Sequence, residues 1–226
     1  YINTSVGNYL GKMKKGLPNG FGVLIKDSVV TIGNFKKGEL SSGSFEKYQL
    51  TNEGILPLIS GISKNGKVSG IAKEYHNGKL VYEGSFKRGE RNGVGQEYNE
   101  GNLIYSGEWR NGKRHGDGIE YKTNGLITYQ GEWKNGSYHG RGKLYQEGIC
   151  QEGRWEDGRL TKSISTSAFS EISQSTKKWF SSDSLDIDDE LLKEEAPSIP
   201  SSQTEFIESL YVDLDEYLHS TIDKKV

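Results

Sequence analysis

The side chains that could do chemistry are few and scattered in this sequence. His115 and His139 occupy equivalent places 24 residues apart, and Cys150 is the only cysteine. A single cysteine permits no disulfide framework and fits a reducing compartment such as the cytoplasm. The two histidines are interpreted as polar residues beside turns. A zinc bridge between them is the alternative, although no nearby cysteine supports it.

Two glycine pairs and one acidic run resemble parts of known ligand-binding motifs. Residues 93–95 and 116–118 imitate half of a dinucleotide fingerprint, but the strand-to-helix context that such a site needs is missing. The acidic run at Asp188, Asp189 and Glu190 lacks the spacing of a calcium loop. We therefore predict a non-enzymatic protein with no catalytic residue, no cofactor and no metal.

Composition and charge indicate an elongated β protein rather than one deep core. The chain has 226 residues with 30 Gly, 4 Pro and a hydrophobic content of 32 %. No apolar run reaches the roughly 18 residues of a membrane-spanning helix. The net charge of -2 divides into +6 for residues 1–160 and -8 for residues 161–226. A mildly basic body with an acidic tail is expected.

One stretch recurs along the body of the chain. The copies "YEGSFKRGERNGVG", "YSGEWRNGKRHGDG" and "YQGEWKNGSYHGRG" begin at Tyr82, Tyr105 and Tyr129. A fourth, "YLGKMKKGLPNGFG", begins at Tyr9, and weaker copies begin at residues 31, 59 and 151. A period near 23 residues indicates a repeat architecture. Tyr1 precedes Tyr9 by the spacing seen between Tyr121 and Tyr129, which predicts a still earlier repeat.

These copies resemble the MORN (membrane occupation and recognition nexus) repeat over residues 1–160. The resemblance implies a role in assembly, because MORN proteins recur in cytoskeletal and ciliary structures such as radial spoke heads. In MORN proteins of the junctophilin type, a helix is expected to back the sheet. Nothing in the sequence resembles the kinase or methyltransferase domains that accompany some MORN repeats.

The turns predict the fold. Asn-Gly pairs favour two-residue type I′ hairpins, and they occur at residues 65–66, 77–78, 111–112, 124–125 and 135–136. Turns 11 or 12 residues apart predict a mainly β chain, an elongated single-layer antiparallel meander of about fourteen strands. With the turn at 111–112, Trp109 should lie near Arg114, Gly107 should face Gly116, and Tyr105 should face Gly118.

The glycines are expected to clear space for rings that lie on the sheet and stack on equivalent rings of the next repeat. Tyr98, Tyr121 and Tyr145 line the other face unless a bulge flips them, and the sequence leaves this open. We predict two aromatic ladders as structural and partner-binding residues: Tyr82, Phe86, Tyr105, Trp109, Tyr129, Trp133 and Trp155.

The stretch from residue 31 to residue 60 departs from the pattern. Its 28-residue spacing and weak turns at residues 27–28 and 52–54 predict a bulged repeat. The aliphatic run "ILPLIS" at residues 55–60 is interpreted as a local core strand, with a partner-binding patch as the alternative.

The repeats end near residue 160. Residues 161–201 are predicted to form a Ser-rich acidic linker with short helical pieces, in which Trp179 and Phe180 are anchor candidates. Residues 202–223 predict an amphipathic helix with an acidic opposite face. We expect it to cover the sheet or a partner's sheet with one apolar face: Phe206, Leu210, Leu214, Leu218 and Ile222.

The favoured function is a scaffold that contacts other proteins of a cytoskeletal or ciliary (axonemal) complex in the cytoplasm, with self-association open. Nucleic acid is not an expected partner, because the aromatic residues belong to the sheet and no dense basic stripe is evident. The alternative is a membrane-surface adaptor that binds anionic phospholipid. Its basic rim, diluted by interleaved glutamates, would be Lys87, Arg88, Arg91, Arg110, Lys113, Arg114, Lys134 and Arg141.

Overall fold

The computed structural model describes residues 2–164, which form one open antiparallel sheet. Its fifteen strands follow one another in chain order, so the predicted single-layer meander is confirmed. The linker pieces, Trp179, Phe180 and the residues of the tail helix lie outside the described residues. The strands are β1 (Ile2–Thr4), β2 (Gly7–Lys14), β3 (Leu17–Lys26), β4 (Val29–Lys36), β5 (Glu39–Thr51), β6 (Gly54–Lys64), β7 (Lys67–His76), β8 (Lys79–Lys87), β9 (Glu90–Asn99), β10 (Asn102–Arg110), β11 (Lys113–Tyr121), β12 (Ile127–Lys134), β13 (Ser137–Gln146), β14 (Ile149–Glu156) and β15 (Arg159–Ser163).

Most hairpin turns have the predicted type I′ geometry. Asn111 and Gly112, for example, have φ values of 51° and 73°, as this turn requires. The turn at residues 124–125 is different: Gly125 has a φ of 82° but Asn124 keeps a negative φ, and the Gly125 N–H donates to the Lys122 carbonyl over 2.9 Å. The loop there is a longer turn that ends in a left-handed glycine.

The strand register differs from the predicted one because each repeat contains a bulge. Gly107 pairs with Gly118, not Gly116, and Tyr105 pairs with Glu120, not Gly118. Between Gly107 and Trp109 the pairing shifts so that β11 holds two extra residues. The same shift follows the equivalent glycine in β2, β6, β8 and β12. Trp109 pairs with Arg114 as expected, because this pair lies between the turn and the bulge.

The two faces of the sheet are not equivalent. The first face carries the repeat tyrosines and tryptophans, which form one buried cluster from Ala72 to Trp155. The second face is the opposite one, and its buried cluster lies at the other end of the sheet, where Val23, Ile25, Val30 and Ile32 pack together. The core therefore changes face along the chain.

The irregular stretch is a bulged repeat, as predicted, with register shifts after Gly33 and after Lys47. Its hairpin is also longer than the others, since β5 has 13 residues and β6 has 11. Here a ring comes from the opposite strand: Thr31 takes the repeat-tyrosine place, and Phe45, 3 % exposed, stands opposite Gly33. Residues 55–60 belong to β6, and Ile55 packs against the second-face cluster. Ile59 packs against the first-face cluster and Leu56 is exposed, so the local core interpretation holds for the two isoleucines of this run.

Candidate functional site

Each repeat tyrosine of the strong copies is buried over a pair of glycines. Tyr105 is 0 % exposed, and its hydroxyl donates to the Glu108 carbonyl over 2.9 Å. A Cβ added to Gly118 would lie 2.3 Å from that hydroxyl, and one added to Gly107 would lie 2.7 Å from it. The glycines are needed because the ring occupies the space where their side chains would be.

The rings form one zigzag row instead of two ladders of like rings. Tyr105 contacts Trp109 of its own repeat at 5.4 Å and Trp133 of the next at 5.2 Å, both edge to face. The contacts from Tyr82 to Trp109 and from Tyr129 to Trp155 follow the same pattern. Edge-to-face geometry suits the ring quadrupoles, and it links each of the repeats that begin at Tyr82, Tyr105 and Tyr129 to the next one.

Two arginines, Arg91 and Arg114, cover this row, so their predicted place on the basic rim is wrong. The Arg91 guanidinium lies 4.4 Å from the Tyr82 ring centre, and that of Arg114 lies 4.6 Å from the Tyr105 ring centre. In the next repeat Tyr138 takes this place and stacks on Tyr129 at 3.8 Å. Cation–π contacts of this kind stabilise the rings, and they leave the guanidinium N–H groups able to pair with carboxylates.

The arginines alternate with glutamates in a ladder of charges across β7 to β13. Arg91 contacts Glu74 at 2.9 Å and Glu97 at 3.4 Å. Arg114 contacts Glu97 and Glu120, each at 2.7 Å, and Tyr138 donates a hydrogen bond to Glu120. Because each inner charge touches two opposite charges on half-buried side chains, this network is stronger than isolated surface pairs.

Burial controls the titration of the groups in this row. Burial raises the pKa of Tyr105 far above its usual value, although Arg114 beside it acts in the opposite direction. Burial also raises the pKa of Tyr138, and its bond to Glu120 adds to the rise. Desolvation would lower the pKa of Arg114, but its bonds to Glu97 and Glu120 outweigh that effect and raise it.

The sequence contained a signal for this network that was missed. When each repeat start is counted as position one, the residue at position ten covers the ring of the repeat tyrosine. Position sixteen holds the glutamates of the network, Glu74, Glu97 and Glu120. Position ten avoids small side chains in every copy: Pro18, Leu40, Val68, Arg91, Arg114, Tyr138 and Leu160.

On the second face, a row of tyrosines crosses β7 to β14. Tyr98 and Gln96 lie on this face, joined by a 2.7 Å hydrogen bond, so the bulges do not flip the tyrosine. Tyr121 and Tyr145 hold the equivalent positions, which settles the question left open by the sequence. We define the tyrosine strip as these half-buried tyrosines and their cross-strand partners: Tyr75 with Leu80, Tyr98 with Leu103, Tyr121 with Ile127, and Tyr145 with Cys150.

Basic side chains collect along one long edge of the sheet. We define the basic edge as the seven turns that join β2–β3, β4–β5, β6–β7, β8–β9, β10–β11, β12–β13 and β14–β15, with the flanking strand-end residues. Twelve basic and four acidic residues give this edge a net charge of +8, whereas the turns of the opposite edge have a net charge of -1. Its twelve basic residues are Lys14, Lys15, Lys36, Lys37, Lys64, Lys67, Lys87, Arg88, Arg110, Lys113, Lys134 and Arg159.

The expected dilution of this charge by glutamates is therefore wrong for the basic edge. Only one of the glutamates that interleave with the predicted rim in the sequence, Glu90, lies there, whereas Glu83, Glu108, Glu132 and Glu147 do not. Glu83 pairs with Lys73 at 3.2 Å, while Glu108 and Glu132 accept from the backbone N–H groups of the neighbouring strands. The net charge of this edge is +8.

The remaining candidates for chemistry lie apart. His115 accepts a hydrogen bond from the Asn135 N–H through Nδ1 at 3.4 Å, and Cys150 is exposed in β14. Within residues 2–164, no three His, Cys, Asp or Glu side chains are grouped so as to hold a metal ion. The same residues include no helix long and apolar enough to cross a bilayer.

The seven predicted ring residues all lie in the core, with these exposed fractions: Tyr82 0 %, Phe86 7 %, Tyr105 0 %, Trp109 5 %, Tyr129 0 %, Trp133 4 % and Trp155 5 %. The surface that a partner meets is therefore made mainly by the side chains around these rings. Direct partner contact by these rings stays a prediction.

Comparison with known families agrees with this geometry. The family model of the MORN repeat matches residues 9–28, 82–102, 105–127 and 129–148. The chain therefore has four segments that match the MORN repeat, which is a non-catalytic repeat. No curated protein matches the chain in sequence, so the likeness to radial spoke heads stays a prediction.

Proposed function

We propose that this chain is a non-enzymatic scaffold that binds other proteins of a larger assembly through the second face of β7–β14. The observation that carries this proposal is the tyrosine strip. It presents half-buried rings and aliphatic side chains, one pair per repeat, on a face that no other described strand covers.

The chemistry of the strip suits a protein partner. Tyrosine is enriched at protein interfaces because it offers a large, rigid contact area with a polar tip. One pair per two strands gives a repeat of about 9.6 Å, so a partner with several equivalent contact points is favoured. Because each repeat contacts only its neighbours, the sheet can extend this array without changing its local structure.

The proposed setting is the cytoplasm, in a cytoskeletal or ciliary assembly, and self-association is part of the proposal. This setting rests on the resemblance to MORN proteins of such assemblies. The exposed Cys150 is in keeping with a reducing compartment.

The scaffold proposal is tested with a tagged full chain and its Tyr98→Ala/Tyr121→Ala variant, expressed in ciliated cells. We expect the wild-type chain to stay with detergent-extracted cytoskeletons and the variant to lose at least about tenfold in retention, since interface tyrosines cost more than about 1 kcal/mol each on truncation. A Ser106→Ala/Gln130→Ala variant changes the same face outside the strip, by the alternation of β10 and β12. Equal retention of the two variants, or none of the wild type, contradicts the proposal.

A second function, binding to anionic phospholipid, is favoured by the basic edge. Each basic residue near an anionic membrane contributes about 1 kcal/mol, and salt screens it. If this edge meets a membrane, phosphatidylserine vesicles should bind the chain at low salt and release it at high salt.

The matched variants for this second function are Lys87→Ala/Arg88→Ala on the basic edge and Lys79→Ala/Lys122→Ala on the opposite edge. Flotation should fall for the first pair and not for the second. If the wild-type chain does not bind phosphatidylserine vesicles, or binds phosphatidylcholine vesicles equally well, the lipid function is contradicted. Neither result affects the scaffold proposal.

A further inference from the structure

Asparagine followed by glycine is a chemically labile pair, and this sequence contains it seven times. The glycine nitrogen can attack the side-chain amide carbon of the asparagine, because glycine has no side chain to obstruct the approach. The pairs are at residues 19–20, 65–66, 77–78, 92–93, 111–112, 124–125 and 135–136. They are held differently in the folded sheet, so they should differ in reactivity.

Four of the pairs form the same kind of turn, which makes them directly comparable. Asn65, Asn77, Asn111 and Asn135 have φ values of 52°, 49°, 51° and 53°. The glycines that follow them have φ values of 75°, 75°, 73° and 91°. Because the main-chain conformation is nearly the same, a difference in reactivity among these four has to come from their contacts.

On the basic edge, the turn glycine is bonded to the preceding repeat. The Gly112 N–H donates to the Arg91 carbonyl and the Gly136 N–H to the Arg114 carbonyl, each over 2.9 Å. Three further glycines of this edge make the equivalent bond. The glycine nitrogen must give up such a bond before it can attack, so Asn111 and the asparagine before Gly136 are protected.

The turn of Asn77 and Gly78 lies on the opposite edge, between β7 and β8, and lacks this restraint. Within residues 2–164, the Gly78 N–H has no hydrogen-bond acceptor. Asn77 is exposed. The atom nearest to a Cβ built on Gly78 is Cδ2 of Leu56 at 3.3 Å, which is an apolar contact. The attacking nitrogen is therefore free in this turn.

The remaining pairs are restrained in other ways. The Asn65 N–H donates to the Ser42 hydroxyl over 3.3 Å. The side-chain oxygen of Asn124 accepts from the Leu126 N–H over 3.2 Å, and the Gly125 N–H is bonded within the same loop. The last two pairs lie inside strands β3 and β9. Asn77 is the least restrained of the seven asparagines.

We propose that Asn77 is a site of spontaneous modification in the folded chain. The Gly78 nitrogen bonds to the side-chain carbon of Asn77, the bond from that carbon to Nδ2 breaks, and ammonia leaves with the amide proton of Gly78. Water then opens the succinimide ring at either carbonyl and gives aspartate or isoaspartate. Both products add a negative charge to the turn, and isoaspartate also lengthens the main chain by one carbon.

The modification would change the end of the sheet edge that adjoins the tyrosine strip. Tyr75 pairs with Leu80 beside this turn, and a two-residue type I′ turn does not fit a lengthened main chain. Lys79, which pairs with Glu100 of the next turn, gains a second carboxylate neighbour. We therefore expect a local loosening of β7 and β8, and no change on the basic edge.

The test ages the full chain in mildly alkaline buffer and follows the Asn-Gly peptides by mass spectrometry that separates asparagine, aspartate and isoaspartate. We expect Asn77 to convert at least about fivefold faster than Asn111 and Asn135, the factor that one ordinary hydrogen bond on the glycine N–H provides. In urea, the three sites should convert at similar rates. Equal rates in the folded chain overturn the proposal, and so does an equal preference for Asn77 in urea.

A pair of matched variants gives a second readout. Asn77→Gln and Asn111→Gln each lengthen the side chain, which makes ring closure onto the next nitrogen much slower. Both should fold, because Lys15 and Arg88 already occupy the same turn position with φ values of 53° and 56°. The folded Asn77→Gln variant should lose most of its ammonia release, whereas the Asn111→Gln variant should keep the wild-type rate. Equal release by the two variants contradicts the proposal.

Discussion

The two ends of the sheet use the same hairpin repeat to build different cores. Between β7 and β14, the buried cluster lies on the first face, where the rings are covered by Arg91 and Arg114, and only isolated second-face residues such as Ile119 are buried. Between β2 and β6, the first face is also buried, but the second face carries its own aliphatic cluster. One repeat pattern therefore supports both a one-faced and a two-faced core.

The difference lies in two repeat positions that face the second side. Positions two and fifteen pair across strands as Val23 with Ile32 in the first region. Equivalent pairs in the second region are mostly polar, such as Glu83 with Gln96 and Lys143 with Glu152, although Ile119 faces Gln130. First-face residues specify the hairpin stack, whereas second-face residues determine what packs on it.

The largest expected effect comes from removing a ring of the second region. Trp109→Ala deletes the edge contacts to Tyr82 and Tyr105 and the bond that Nε1 donates to the Gly95 carbonyl over 3.3 Å. We expect the free energy of unfolding to fall by about 3–5 kcal/mol. Denaturant unfolding measures this loss, and Trp109→Phe, which keeps a ring, should lose less.

The location of that loss tests whether the regions are separate. Because repeats contact only neighbours, amide protection should fall in β8–β11 and persist in β3 and β4. A uniform loss of protection across the sheet would show that the two regions unfold as one unit.

A smaller effect is expected when the same clash is introduced in each region. A Cβ at Gly22 or at Gly118 would lie 2.3 Å from the hydroxyl of Tyr9 or Tyr105, respectively. At Gly118 the nearest atoms all belong to the Tyr105 side chain, whereas at Gly22 the Leu10 carbonyl oxygen is also only 2.5 Å away. Both alanine variants should lose about 1–3 kcal/mol, and Gly22→Ala should lose more. Thermal unfolding of the two variants checks this order, and a larger loss at Gly118 contradicts it.

The residues of the turns made the fold predictable. The prediction of the strand register failed for a reason that is also local. Asn-Gly pairs and their spacing are sufficient for a meander, because type I′ turns need two residues with positive φ. The bulge before Gly118 adds two residues to one strand and involves Gly116, with a φ of 57°. An even count of residues from the turn cannot reveal this bulge. The predicted cross-strand partner of Tyr105 was therefore wrong, although the prediction that its ring lies over glycines was right.

The charge ladder was missed, and the basic rim was predicted with some wrong members, because both depend on which edge or face a residue reaches. Arg114 and Lys113 are neighbours in sequence, yet one covers a ring and the other lies at a turn. Net charge over a long stretch averages such residues together. Comparison of position ten across the repeats would have separated them.

The smallest effect concerns the tyrosines that the second region buries. Burial raises the pKa of Tyr105, so above about pH 10 its phenol ionises in the unfolded chain while staying neutral in the folded one. The unfolded state then binds fewer protons, and stability falls by about 1.4 kcal/mol per pH unit for this residue. At neutral pH, Tyr105→Phe should cost about 1 kcal/mol, from the lost bond to the Glu108 carbonyl. Above pH 10 the variant should approach the wild type in stability, in unfolding followed by tryptophan fluorescence. Parallel curves up to pH 11 would mean that the phenol of Tyr105 ionises in the folded sheet, and that the rings of this region are less enclosed than the aliphatic cluster at the other end.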